Sequence, residues 1–212
     1  MSAREIARRV LDRVDKGGAW ATLALDAELA RSGLDERDRR LASELVYGVL
    51  RHRGRIDRAL SAHADLARTP PKIRTALRVA AHQLLFLDRV PAYAAVDDAV
   101  NAARGIGGQK LAGFTNAVLR KITNGGEPPL PTEERARLEI EYSLPRWILE
   151  ELVASAPAES LSAIAAAFAE PAPIVARVNR LRSERDKLVA ELLEQGVTAK
   201  PVDGVPSALV LD

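Results

Sequence analysis

Cysteine is absent from the 212 residues. That excludes a disulfide framework and any thiolate metal site, and it fits a reducing cytoplasm, which is the expected location. Histidine occurs three times, as His52, His63 and His82, with no His-x-x-x-His or Glu-x-x-His pair, so no metal site is expected. Aromatic residues make up only 4% of the chain. Alanine and aliphatic side chains are plentiful instead, which favours helices over a sandwich or barrel. No apolar run approaches the ~20 residues that a membrane span needs, and residues 1–16 are amphipathic and charged, unlike a signal sequence, so no membrane partner is expected.

The best-patterned stretch runs from Pro70 to Ile122. Ile73, Leu77, Ala80, Ala81, Leu84 and Leu85 recur at three- and four-residue steps and predict a core helix. Pro91 stops that pattern, and Ala95, Val96, Ala99, Val100 and Ala103 begin a second stripe that ends in a turn at Gly105, Gly107 and Gly108. Leu111, Phe114, Ala117, Val118 and Ile122 form a third, with Arg120 and Lys121 off the apolar side. Connections this short make three successive antiparallel helices the economical reading. His82, beside the first stripe, is expected to be a partly buried, hydrogen-bonded histidine. Asp97 and Asp98 point about 100° apart on a helix and make no acid/base dyad.

Ahead of this stretch, Ala3 to Asp15 predicts a helix with Ile6, Val10, Leu11 and Val14 inward and Arg4, Arg8, Arg9 and Arg13 largely outward. Trp20, Leu23, Leu25 and Leu29 start another helix, with Trp20 as a core plug. Asp35 is the expected N-cap of a third, whose inner stripe is Leu41, Leu45, Val46, Val49 and Leu50. The most basic run follows: Arg51, His52, Arg53, Gly54, Arg55 and then Arg58. If the helix continues, Arg51, Arg55 and Arg58 share one face and make the strongest candidate for a phosphate-tracking patch.

Asn124 to Pro131 is dense in glycine and proline and reads as a linker. Beyond it, Glu133 to Glu141 is a short helix. Ser143 is the expected cap of the next, with Trp147 anchored against Leu152. Pro157 to Ala169 is alanine-rich and helical. The period then changes: Pro173 to Asn179 predicts a strand, Ser183 to Gln195 a helix, Val197 to Val202 a weak strand and Ala208 to Leu211 another. The fold class is therefore mainly α, a helical bundle over residues 1–126, a linker and short helix over 127–142, and a smaller α/β part over 143–212.

Net charge is +2 overall, but residues 1–126 carry +8 and residues 127–212 carry −6. A basic helical part facing a polyanion accounts for that division, with a solvated charged surface as the alternative. The candidate RNA-binding residues are Arg4, Arg8, Arg9, Arg51, Arg53, Arg55, Arg58, Arg120 and Lys121. No catalytic, cofactor-binding or metal-binding residue stands out, and the glycine clusters lack the strand-glycines-helix context of a cofactor loop.

LRVAAHQLLFLDRVPAYAAVDDAV, FTNAVLRKI and the earlier DRRLASELVYGVLR resemble the NusB-type RNA-binding fold. The match is closer to that fold as it occurs at the front of the RsmB (Sun/Fmu) family of rRNA cytosine-5 methyltransferases. SLPRW and a strand ending in RVN are similar to the small RRM-like α/β subdomain that follows in that family. The resemblance implies an RNA-binding front portion of a longer protein, with an S-adenosylmethionine domain and cysteine nucleophile supplied elsewhere as its partner and this chain inactive alone. A stand-alone NusB-like antitermination factor is the alternative for residues 1–126. A protein-interaction module with an incidental basic face is a third.

Overall fold

The apolar periodicities become helices close to the expected bounds in the computed structural model, which describes residues 1–157, 160–170 and 172–211. One compact unit, residues 1–169, contains α1 (Ala3–Gly17), α2 (Ala21–Ala30), α3 (Glu36–Arg51), α4 (Arg53–Ser61), α5 (Pro71–Phe86), α6 (Ala92–Gly125), α7 (Glu134–Glu141), α8 (Arg146–Ser155) and α9 (Leu161–Ala169). A second unit, residues 170–212, contains β1 (Ile174–Arg177), α10 (Arg185–Glu194), β2 (Ala199–Pro201) and β3 (Ala208–Leu211). The helix expected over 157–169 is α9; Ala158 and Glu159 lie outside the described residues, as do Pro171 and Asp212.

Local chemistry sets the helix ends. Ser2 accepts a hydrogen bond from the Glu5 amide at 3.2 Å, and Asp35 accepts one from the Asp38 amide at 2.8 Å. The Glu133 carboxylate accepts from the Arg135 and Ala136 amides at 3.0 and 2.6 Å. Those amide bonds hold its pKa below the ordinary carboxylate value. Within α6, Gly107 and Gly108 break the helical dihedrals, and Gly108 has φ 70°, a left-handed conformation open to glycine. The break expected at these glycines is thus present, as a kink that separates two helical stretches of α6.

α5 is the centre of the helical unit. Ten of its sixteen residues are buried, Thr75, Arg78, His82 and Gln83 among them, so the helix is enclosed on more than one face. Ile6 and Leu11 of α1, Leu45 of α3, Ile56 and Leu60 of α4, and Leu119 and Ile122 of α6 are fully buried with it in one core. Two expected anchors lie elsewhere. Trp20 is 80% exposed, because it precedes α2 in extended backbone and the helical period does not reach it. Trp147 is 66% exposed: it lies two residues, about 200° around the helix, from the buried Leu149. Ser143 does not cap α8, whose N-cap is Pro145.

In the second unit the strands pair antiparallel in the order β1-β3-β2, with Val175 opposite Val210 and Lys200 opposite Val210 on the other side. Val178, Ala199 and Leu209 form its small core against Leu188, Val189 and Leu192 of α10.

His82 differs from its expected state. It is fully buried, neither ring nitrogen has a hydrogen bond, and the ring stacks with His52 and Phe86 at centroid distances of 5.9 and 5.6 Å. Glu44 lies 3.5 Å from Nε2 without forming a hydrogen bond. A Cβ on Gly48 would overlap the imidazole, so the glycine in α3 makes room for it. Burial first, then His52 and Arg51, lower the His82 pKa to about 4. The unfolded chain, with its ordinary value of 6.5, takes up the proton first as pH falls. Stabilisation from neutral His82 is therefore complete above about pH 6.5 and is lost progressively toward pH 4. Urea unfolding at pH 7 and pH 5 should differ by about 2 kcal/mol, and His82→Leu should remove most of that difference.

Candidate nucleic-acid interface

The basic run between α3 and α4 is a junction of the fold. The helix does not continue through it: His52 has φ −101° and ψ 20°, so Arg51 ends α3 while Arg55 and Arg58 belong to α4. Arg51, Arg55 and Arg58 consequently do not share one helix face. Arg55 grips Glu127 through two hydrogen bonds of 2.7 and 2.5 Å and lies 4.6 Å from the Phe86 ring centre. Arg58 donates to the Pro129 carbonyl at 2.6 Å. The glycine- and proline-rich segment is therefore fastened to α4 rather than free. Gly54 completes the joint. Its amide donates to the Ser143 hydroxyl at 2.8 Å, and a Cβ there would stand 2.6 Å from the Ile140 carbonyl.

Beneath this run lies a cluster of charge around one buried arginine. Arg78 of α5 is 8% exposed, donates to both oxygens of Asp57 at 2.7 Å and reaches Asp15 at 2.9 Å. Arg53 meets the same Asp15 at 2.5 Å. Burial, followed by repulsion from Arg78, lowers the Arg53 pKa, and Asp15 opposes the shift. Thr75 adds a 2.6 Å bond to Asp12 of α1. Two guanidinium groups and two carboxylates thus tie α1, α4 and α5 together.

The other expected cations divide in the same way. Arg4 donates to Gln83 at 2.7 Å, and Arg8 is half-buried against Asp98, so neither points freely outward. Arg9 is exposed with Glu5 at 3.0 Å and Glu28 at 3.8 Å. It joins Arg13, Lys16 and Lys72 around an open groove of about 540 Å³ that also holds Asp12 and Glu28. Arg51 is half-buried. Arg120 and Lys121 are exposed and have no ion-pair partner among the described residues. Lys110, Gly113, Ala117, Arg120 and Lys121 are all exposed at helical steps on the second half of α6. Cations flank a strip of small side chains there, a surface that a phosphate backbone can approach closely.

Residues 1–124, comprising these helices, match the NusB family. The chain belongs to the NusB family. Residues 144–212 match the ferredoxin-like domain of RsmF/B-like methyltransferases, a match that begins ahead of α8. The ribosomal RNA small subunit methyltransferase B of Pseudomonas putida is 34% identical over 216 residues, covering 100% of this chain and 48% of that protein. The chain spans about half the length of the curated relatives it matches. Among solved structures, PH0851 superposes with a TM-score of 0.69 at 20% identity, covering 100% of this chain and 49% of that one, a likeness of fold. The antitermination factors NusB and NusE in complex with dsRNA supply a second, with a TM-score of 0.53 and 27% identity over 57% of this chain and 93% of that one.

In this NusB-family unit, sequence reasoning missed Arg78. It stands among the buried residues of α5, where an arginine needs carboxylate partners, but nothing in the spacing identifies Asp15 and Asp57 as those partners. Arg78→Ala should destabilise the protein by about 1–3 kcal/mol, because Asp15 and Asp57 lose their charged hydrogen bonds to it while Arg53 stays beside them. Arg120→Ala should stay within about 0.5 kcal/mol of the parent. Equilibrium denaturation of the two variants checks both values.

Proposed function

We propose that these residues form the RNA-binding portion of an S-adenosylmethionine-dependent rRNA cytosine-5-methyltransferase. In this reading they hold small-subunit rRNA, and methyl transfer belongs to residues outside the 212. The observation that carries the reading is the succession, in one chain, of a NusB-family unit and the ferredoxin-like domain of RsmF/B-like methyltransferases. A stand-alone antitermination factor accounts for the first match and leaves the second without a purpose. The solved NusB structure with dsRNA supports RNA as the ligand of the helical unit.

Within that unit the RNA-facing surface we favour is the second half of α6. Lys110, Arg120 and Lys121 are exposed there, without ion-pair partners among the described residues. Arg9 and the groove beside it form a second such surface, weakened by Glu5 and Glu28. Arg53, Arg55 and Arg58 serve RNA only by surrendering bonds that hold α4 to α1 and to the segment after α6. Each phosphate left without its cation should reduce the slope of log affinity against log salt by about 0.7–0.9. Arg120→Glu/Lys121→Glu, titrated with rRNA fragments at several salt concentrations, should therefore bind more weakly and with a slope smaller by about 1.5. Parental affinity and slope in that variant would remove α6 from the interface.

A further inference from the structure

The second unit carries a basic corner inside an otherwise acidic piece of chain. Residues 170–212 have a net charge of −1, yet residues 177–187 hold Arg177, Arg180, Arg182, Arg185 and Lys187 against Glu184 and Asp186, a net of +3. The remainder of the unit is therefore at −4. Charge of one sign is gathered at the end of β1 and the start of α10 rather than scattered for solubility.

The backbone holds this corner in a defined shape. The Leu181 amide donates to the Asn179 side-chain oxygen at 3.1 Å, and the Arg182 and Ser183 amides donate to the Asn179 carbonyl at 2.9 and 3.1 Å. Val178, immediately before the turn, is buried and bonded through its amide to the Ser207 carbonyl at 2.7 Å. The turn is thus anchored in the unit's core, and its side chains face outward. Arg177, Arg180 and Arg182 are exposed and have no ion-pair partner among the described residues, whereas Arg185 is offset by Asp186 at 3.7 Å. Between Arg180 and Arg182 stands Leu181, 98% exposed, an apolar side chain that the fold leaves uncovered. Beside Arg180 is a hollow of about 330 Å³ whose walls include Ser183, Glu184, Arg185 and Pro206.

We infer that the Arg177–Arg182 turn of the second unit is a separate binding site for single-stranded RNA, with Arg177, Arg180 and Arg182 on phosphates and Leu181 against the face of an unpaired base. Guanidinium groups pair with phosphate oxygens in a two-pronged geometry and are more weakly hydrated than an ammonium. An unpaired base offers a free apolar face to the uncovered Leu181, whereas a base inside an intact stack has none unless the stack is first opened, which favours single strands over duplex. The inference rests on the RNA-binding reading above but involves residues that reading does not use.

The test compares three versions of the full chain: parent, Arg180→Glu/Arg182→Glu, and Arg120→Glu/Lys121→Glu. Each is titrated with a fluorescein-labelled hairpin RNA bearing a single-stranded tail and with the same hairpin lacking the tail. Both arginines of the turn are exposed, so thermal melting of the turn variant should match the parent. Its affinity for the tailed RNA should fall about tenfold, with a salt slope smaller by about 1.5. Its affinity for the tailless hairpin should change less. Parental affinity and slope on the tailed RNA, in a chain whose α6 variant does lose affinity, would overturn this inference and leave the RNA-binding reading standing. An equal loss on both RNAs would overturn the single-strand assignment. A parent chain without salt-dependent RNA binding would overturn both readings.

Discussion

A buried arginine constrains everything around it. Arg78 sits in the middle of α5, where the helix is enclosed on nearly every side, and a cation that cannot reach water must be met by carboxylates with good geometry. Asp57 comes from α4 and Asp15 from the end of α1, so satisfying one side chain fixes where both helices lie. Arg53 then shares Asp15, which draws the basic run after α3 inward. Once α4 is placed, Gly54 allows the Ile140 backbone to approach, and Arg55 and Arg58 fasten the segment between α6 and α7. The most conspicuous cluster of positive charge in the sequence is thus largely occupied in holding the protein together.

This sorts the arginines by what they can do. A guanidinium already bound in two-pronged fashion to a carboxylate offers nothing to a phosphate without first losing that partner, whereas an exposed one on a helix face is available at once. Arg120 and Lys121 belong to the second kind, and so do the arginines of the turn after β1. Arg120 and Lys121 stand on a helix, and Arg180 and Arg182 on a turn anchored by the buried Val178, so charge can be changed there without disturbing the fold.

Much of the fold was legible because it depends on local rules. The stripe from Ile73 to Leu85, the stop at Pro91, the Asp35 cap and the shift from helical to strand period near Pro173 all encode their outcome within a few residues. What was hidden depends on distant pairing. Arg55 and Glu127 are 72 positions apart and Gly54 and Ser143 are 89 apart. The break at His52 separates Arg51 from Arg55, and a continuous helical repeat across it would bring them together. Trp20 and Trp147 mislead for another reason: size suggests burial, but Trp20 stands in extended backbone ahead of α2 and Trp147 falls out of helical phase with the buried Leu149. Buried imidazoles generally find hydrogen bonds, and at His82 stacking on His52 and Phe86 takes the place of such bonds.

Arginines that build the scaffold are therefore distinct from those that the fold leaves exposed and, in the proposed reading, free for RNA. NMR of the arginine Nε–Hε groups during an RNA titration addresses that separation directly. The Arg120 signal is expected to shift as RNA is added while those of Arg78 and Arg55 keep their positions. Movement of Arg55 and Arg78 with a stationary Arg120 would contradict this division of roles.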